Sequence, residues 1–153
     1  MGASGWSYFA PYQADVEKAL QQLREKVFQE NKYYIGDIYY DKDRQPRYLE
    51  NGLPYEKPAT IDELLERSSE EGTHSILDIE HVSATPAFGT ASPLSEREIL
   101  DLFGIEKPDH DTILQKKGSP GLYELLEPWE AAYVLVYKNG QPDEIFFFGV
   151  SGD

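Results

Sequence analysis

The chain has 153 residues, with 28 acidic against 14 basic side chains, a net charge of −14 at neutral pH and no cysteine. That length fits one domain with a real core, because folding at this size removes roughly 70% of the unfolded chain's surface from water. The sign of the charge works against nucleic acid and anionic membrane, and the missing thiols exclude disulfides, a cysteine nucleophile and thiolate metal sites.

The composition agrees with a reducing compartment, so a cytoplasmic location is expected. No basic segment followed by an apolar one opens the chain, and no apolar run approaches a membrane span. The opening Met-Gly-Ala-Ser-Gly suggests myristoylation, but Trp6 stands where Ser or Thr is required.

In chain order, residues 6–12 read as a short aromatic strand or ordered arm, limited by Pro11. Residues 13–30 predict the most secure helix. Val16, Ala19, Leu20, Leu23, Val27 and Phe28 recur at spacings of three and four, with Asp15 and Glu17 in the first turn. Residues 33–41 are tyrosine- and isoleucine-rich and predict a strand interrupted at Gly36. A polar turn over 41–46 and an irregular connection follow. Thr60 and Glu63 form a capping box that starts a second helix.

Residues 73–83 (Thr-His-Ser-Ile-Leu-Asp-Ile-Glu-His-Val-Ser) predict another strand, and 84–93 a loop with Phe88 as its anchor. Ser95 and Glu98 form a second capping box, with a staple between Leu94 and Ile99 and a stop at Gly104. A weak helix is expected over 108–117. Ser119-Pro120 then gives an N-cap with proline at the first helical position. The last segment is a hairpin. Residues 132–138 and 145–150 are β-branched and aromatic runs flanking Asn139-Gly140, the pair that best suits a two-residue turn. Pro142 raises a longer turn over 139–143 as an alternative. The second run lacks polar alternation, so both of its faces should be covered. The expectation is a single α+β domain over 1–153, with a mainly antiparallel or mixed sheet, a C-terminal β-hairpin and three to four packed helices.

Two stretches carry candidate chemistry. On a strand over 73–83, Asp78 and Glu80 share a face about 6–7 Å apart. With His74 they could hold a metal or act as acid and base, and these three are the catalytic candidates. The plainer reading, the solvent-facing edge of a half-buried strand, outweighs this one, since most Asp and Glu are exposed. His81 points the other way, and no metal-ligand spacing completes a set, so no metal or cofactor is expected. Asp37, Asp41 and Asp43 fail the EF-hand pattern. No nucleophile elbow or phosphate loop appears, and His110 between Asp109 and Asp111 fits a cap or solvated turn.

The second stretch is tyrosine-rich. Tyr33, Tyr34, Tyr39, Tyr40, Tyr48 and Tyr55 interleave with Asp37, Asp41, Asp43, Glu50 and Glu56. Tyrosine beside carboxylate captures Arg and Lys through cation–π contact and charge-assisted hydrogen bonds. The expected binding residues are Tyr33, Tyr34, Asp37, Tyr39, Tyr40, Asp41 and Asp43; the plainer reading makes half of these rings core. The leading expectation is a non-enzymatic acidic binding protein, of which an inhibitor or immunity-type protein for a basic partner is one instance. A small enzyme or ligand-binding domain with its site on 73–81 is the alternative. A subunit of a larger assembly is a third, and predicts an exposed apolar patch.

Overall fold

The C-terminal hairpin is built on two left-handed residues, Asn139 with φ 53° and Gly140 with φ 77°. They join strand β6 (Ala131–Lys138) to β7 (Gln141–Val150), with Lys138 paired directly to Gln141. The longer turn raised by Pro142 does not form. Instead the ladder slips one residue further on: Tyr137 faces Pro142 and Val136 faces Glu144, which leaves Asp143 as the extra residue of a bulge. Its carbonyl accepts the Tyr12 N–H at 3.1 Å, so the bulge ties the hairpin to the N-terminal strand.

The computed structural model describes residues 4–36 and 38–152. Before the hairpin the chain runs through β1 (Gly5–Pro11), α1 (Val16–Gln29), β2 (Ile38–Tyr40), β3 (Pro46–Leu49) and α2 (Ile61–Arg67). A single 3-10 turn (Ile76–Asp78), β4 (His81–Val82), β5 (Thr90–Pro93), α3 (Glu96–Phe103), α4 (His110–Lys117) and the one-turn α5 (Pro120–Tyr123) follow. The sheet order is β1-β7-β6-β5-β4, and β2 and β3 form a separate ribbon. β4, β5 and β6 run parallel, while β7 is antiparallel to both β6 and β1. The fold is therefore α+β with a mixed sheet. Among the described residues no helix is long and apolar enough to cross a membrane.

The sheet has a core on each face. Ile145 and Phe147 meet α1 and the 3-10 turn, with Leu20, Leu23, Val27, Ile76 and Ile79. Phe146 and Phe148 point the other way, against Leu94, Phe103, Ile113 and Leu122. All four β7 residues are fully buried, which is why that run shows no polar alternation. Each such phenylalanine contributes about 1.5–3 kcal/mol of burial.

The helix starts follow their caps. Asp15 accepts from Lys18 N–H and begins α1 three residues later than its pattern predicts. Thr60 caps α2, although the Glu63 carboxylate reaches the Ala59 N–H rather than that of Thr60. Ser95 and Glu98 form a complete reciprocal box.

The segment 73–83 differs from its expectation. It folds as the 3-10 turn followed by the two-residue β4, because Ser75 Oγ accepts Leu77 N–H and Asp78 reaches back to Thr73. These local bonds give the backbone partners that an extended ladder would otherwise supply. The stretch 84–93 is only partly loop: Thr90–Pro93 enters the sheet as β5 between β4 and β6. Among the described residues of the strand predicted over 33–41, only Ile38–Tyr40 pairs, and it pairs outside the main sheet.

Candidate functional site

At one end of the sheet, three neighbouring parallel strands begin side by side. Asp78 and Glu80 lead into β4, Phe88 and Gly89 into β5, and Trp129 into β6. A cavity of about 290 Å³ opens there, walled by Leu65, Ser68, Asp78, Glu80, Phe88 and Trp129 among others.

Asp78 is the floor. It is only 5% exposed. Its Oδ1 accepts the Thr73 N–H at 2.7 Å and the Thr73 hydroxyl at 2.8 Å, while Oδ2 is buried without a hydrogen bond from the described residues. Burial pushes the carboxyl above its ordinary range; the bonds from Thr73 and the nearby His74 oppose that rise. Ser68, 6% exposed, contributes a second buried oxygen that makes no hydrogen bond to the described residues. Beneath them Thr73 Oγ1 and Ser75 Oγ stand 2.6 Å apart. Tyr8 extends this network: burial raises its phenol, hydrogen bonds with the Ile76 backbone and Ser75 lower it, and the Asp78 charge raises it.

Trp129 is the most unusual wall. Its φ of 70° lies in the left-handed region, which a bulky side chain rarely occupies. The surrounding structure holds it there. Its N–H donates to Val150 O at 3.1 Å, and its carbonyl accepts the Gly89 N–H at 2.8 Å. Two glycines make room for the indole: a Cβ on Gly72 would lie 3.0 Å from the ring, and one on Gly152 only 2.0 Å. The same Gly72 position would lie 2.8 Å from Asp78 Oδ2, so the carboxylate and the indole edge border one point. Phe88 stands over the indole at a centroid distance of 5.4 Å and is 73% exposed.

The predicted catalytic residues do not converge. Asp78 and Glu80 share the cavity, but not as neighbours on one strand face. His74 adopts a left-handed backbone, φ 52°, and its ring stacks on Tyr34 at 4.6 Å instead of lining the cavity. Glu80 is exposed, and its backbone bonds to Gly89 and Gln21. His81 faces Glu17 at 3.2 Å, and His110 pairs with Glu144 at 2.7 Å against the ring of Phe9. Among the described residues no group of three or more His, Asp or Glu is placed to hold a metal ion.

The tyrosine-rich stretch divides. Tyr34, Tyr39, Tyr40 and Tyr48 are exposed, with Asp43 beside them. Tyr33 is half-buried, stacked on Phe28 at 5.9 Å, with its phenol pushed up to about 12 by burial and then by Tyr55. Asp41 serves its own turn. It accepts from the backbones of Gln45 and Asp43 and from Arg47 Nε at 2.7 Å, which holds its carboxyl below the usual range. Asp37 lies outside the described residues.

Charge is unevenly placed along the chain. Residues 32–67 hold eight acidic and six basic side chains; residues 68–106 hold eight acidic and only Arg97. Arg97 is paired with Asp101 at 3.1 Å. Arg24 on α1 is buried. It donates to Gln21 and to Leu77 O; burial depresses its pKa, while the field of Glu80, Asp62, Glu17 and Asp78 counters that.

Phe88 and Trp129 are the residues that sequence reasoning passed over as a loop anchor and a lead into the hairpin. Glycines at 72, 89 and 152 are the signal that could have marked them: Gly72 and Gly152 lie where the ring approaches closely, and Gly89 holds a left-handed φ of 72°. No family model, curated protein or solved structure matches this chain.

Proposed function

We propose that the chain is a non-enzymatic binding protein for a basic protein partner, in the manner of an inhibitor or immunity-type protein. The observation that supports this reading is an aromatic-walled cavity with Asp78 and Glu80 in its lining, set in a segment, 68–106, that holds eight carboxylates against one paired arginine. A field of one sign steers an oppositely charged partner and raises its association rate. Exposed aromatic rings then supply contact area at low entropic cost. Phe88 fills that role at the cavity, and Tyr39, Tyr40 and Tyr48 supply a second aromatic surface on the β2–β3 ribbon.

The test is affinity capture from native cells at low and high salt, followed by association kinetics with the captured protein. A basic protein should be retained at low salt and released at high salt. Reversing the exposed Glu70, Glu71 and Glu80 to lysine should slow association by about tenfold or more. Recovery of no basic partner, or an association rate that ignores the three reversals, rejects the proposal.

The small-enzyme or ligand-binding alternative is favoured by one observation only, the buried Asp78 Oδ2 beside the cavity. It loses His74 to the stack with Tyr34.

A further inference from the structure

We infer that the chain adds a short extended segment of the basic partner to its sheet, in a gap beside Leu135; the inference rests on the binding function proposed above. β5 stops at Pro93, because Ser95 caps α3 and turns the chain away, while β6 runs on to Lys138. Successive residues of a strand aim their backbone groups at opposite edges. The Tyr133 carbonyl accepts the Leu94 N–H at 3.0 Å, and the Tyr137 N–H donates to Pro108 O at 2.9 Å, both on the side of β6 away from β7. Leu135 lies midway between them and aims its N–H and C=O the same way. Neither group has a hydrogen-bond partner among the described residues. The stretch between the two flanking bonds is about 13 Å long, room for roughly three residues of extended chain.

A cavity of about 310 Å³ occupies that gap, with Leu94 on one bank and Tyr133 and Leu135 on the other. Leu135 is only partly buried. The walls are apolar on both faces of the sheet: Val16, Tyr133 and Leu135 pack with the α1 core, Leu94 and Ile99 with the opposite one. An inserted strand alternates its side chains between those faces, so consecutive apolar residues each meet an apolar wall. Its backbone supplies the C=O and N–H that Leu135 lacks, which is how an extended peptide adds to a sheet edge. Glu106 is the one charged residue among the described lining, and Lys107 beside it lies over the Tyr137 ring at 5.6 Å. A cationic side chain at the end of the inserted segment therefore finds a carboxylate. A second copy of the chain carries the same net charge of −14 and is repelled, whereas a basic partner is attracted.

Hydrogen exchange read by two-dimensional NMR tests the gap first. In the free chain the Leu135 amide should exchange at least about tenfold faster than those of Val134 and Val136, which β7 pairs. The full chain is then titrated with the peptide acetyl-Lys-Val-Leu-Val-Lys-amide, with its Glu-Val-Leu-Val-Glu counterpart, and with the lysine peptide N-methylated at its three central amides. The lysine peptide should shift the Leu135 amide saturably in the millimolar range and slow its exchange several-fold. The other two peptides should bind at least about tenfold more weakly. Glu106→Lys, at an exposed position, should weaken the lysine peptide several-fold. A Leu135 amide as protected in the free chain as its neighbours overturns the inference. So does the absence of a saturable shift up to about 10 mM, full binding by the N-methylated peptide, or full affinity in Glu106→Lys. Capture of a basic protein whose complex leaves Leu135 in fast exchange overturns the strand addition and leaves the binding function standing. Protection of Leu135 by the lysine peptide with no basic partner recovered supports the strand addition and overturns the partner as its source.

Discussion

The indole of Trp129 lies so close to Gly152 that a methyl group on that glycine would stand 2.0 Å from ring atom Cε2. Gly152→Ala should therefore displace the ring, since real Cβ contacts do not reach that distance. Overpacking of this kind costs about 1–3 kcal/mol when the neighbours cannot give way. Urea unfolding should show a loss in that range, and the Trp129 indole N–H signal should move. An alanine variant with unchanged stability and an unmoved indole signal would show that the chain end yields instead and that the slot is not tight.

Asp78 predicts a pH dependence. Burial raises its carboxyl above 3.8, so the folded protein keeps this proton where the unfolded chain has already released it. Stability rises with pH only where the unfolded state binds more protons, and here it binds fewer. The Asp78 contribution is therefore fullest below about pH 4 and declines as pH climbs through the folded-state value. Asp78→Asn removes that decline. Measured by urea unfolding, the gap between variant and wild type should move in favour of the variant from about pH 4 to about pH 7. A gap that stays constant, or moves the other way, contradicts the assignment.

Much of the fold is legible in the residues, because its signals are local. Asn139-Gly140 sets its own turn, Ser95 and Glu98 find each other within one helical turn, and the run Phe146-Phe147-Phe148 declares burial on two faces. The stretch 73–83 misleads because its alternation suits a strand while Ser75 and Asp78 bond locally. β5 is hidden because Thr-Ala-Ser-Pro has little strand preference and pairs only because β4 and β6 flank it. The cavity is hidden for a related reason. Asp78, Phe88 and Trp129 are brought together by the parallel order β4-β5-β6, a long-range property that no spacing in the sequence carries.

Two glycines should respond in opposite ways to alanine. Gly140 holds φ 77° in the hairpin turn, where an added Cβ costs about 1–2 kcal/mol. Gly118, at the end of α4, has φ −90° and nothing within 4 Å of a new Cβ. Gly118→Ala should stabilise by about 0.4–1 kcal/mol, mainly by restricting the unfolded chain. Thermal unfolding of the two variants should shift in opposite directions. A matching loss at both positions would mean that Gly118 serves a contact beyond its backbone.

Glu17 guards the open edge of the sheet. β4 is the last strand, and an uncovered edge invites pairing with another chain. From α1, Glu17 Oε1 accepts the Val82 N–H at 3.0 Å and meets His81 Nδ1 at 3.2 Å, while Oε2 accepts Gln21 Nε2 at 2.6 Å. Burial pulls this carboxyl upward, but the hydrogen bonds from Gln21, Val82 and His81 outweigh it and hold the group below 4.5. The sign is opposite to that of Asp78: the contribution is present above the unfolded value and is lost as pH falls through the folded one. The Glu17 side chain is 42% exposed and that of His81 72%, so solvent screens the pair and the charge-dependent part should stay under about 1 kcal/mol. Glu17→Gln keeps an acceptor for Val82 and should lose only that part, at about pH 7 but not at about pH 3. Glu17→Ala removes the acceptor as well and should cost more at both values, with faster hydrogen exchange at the Val82 amide. Equal behaviour of the two variants, with Val82 protection intact in Glu17→Ala, would mean that the edge is closed by the packing of α1 and owes nothing to this carboxylate.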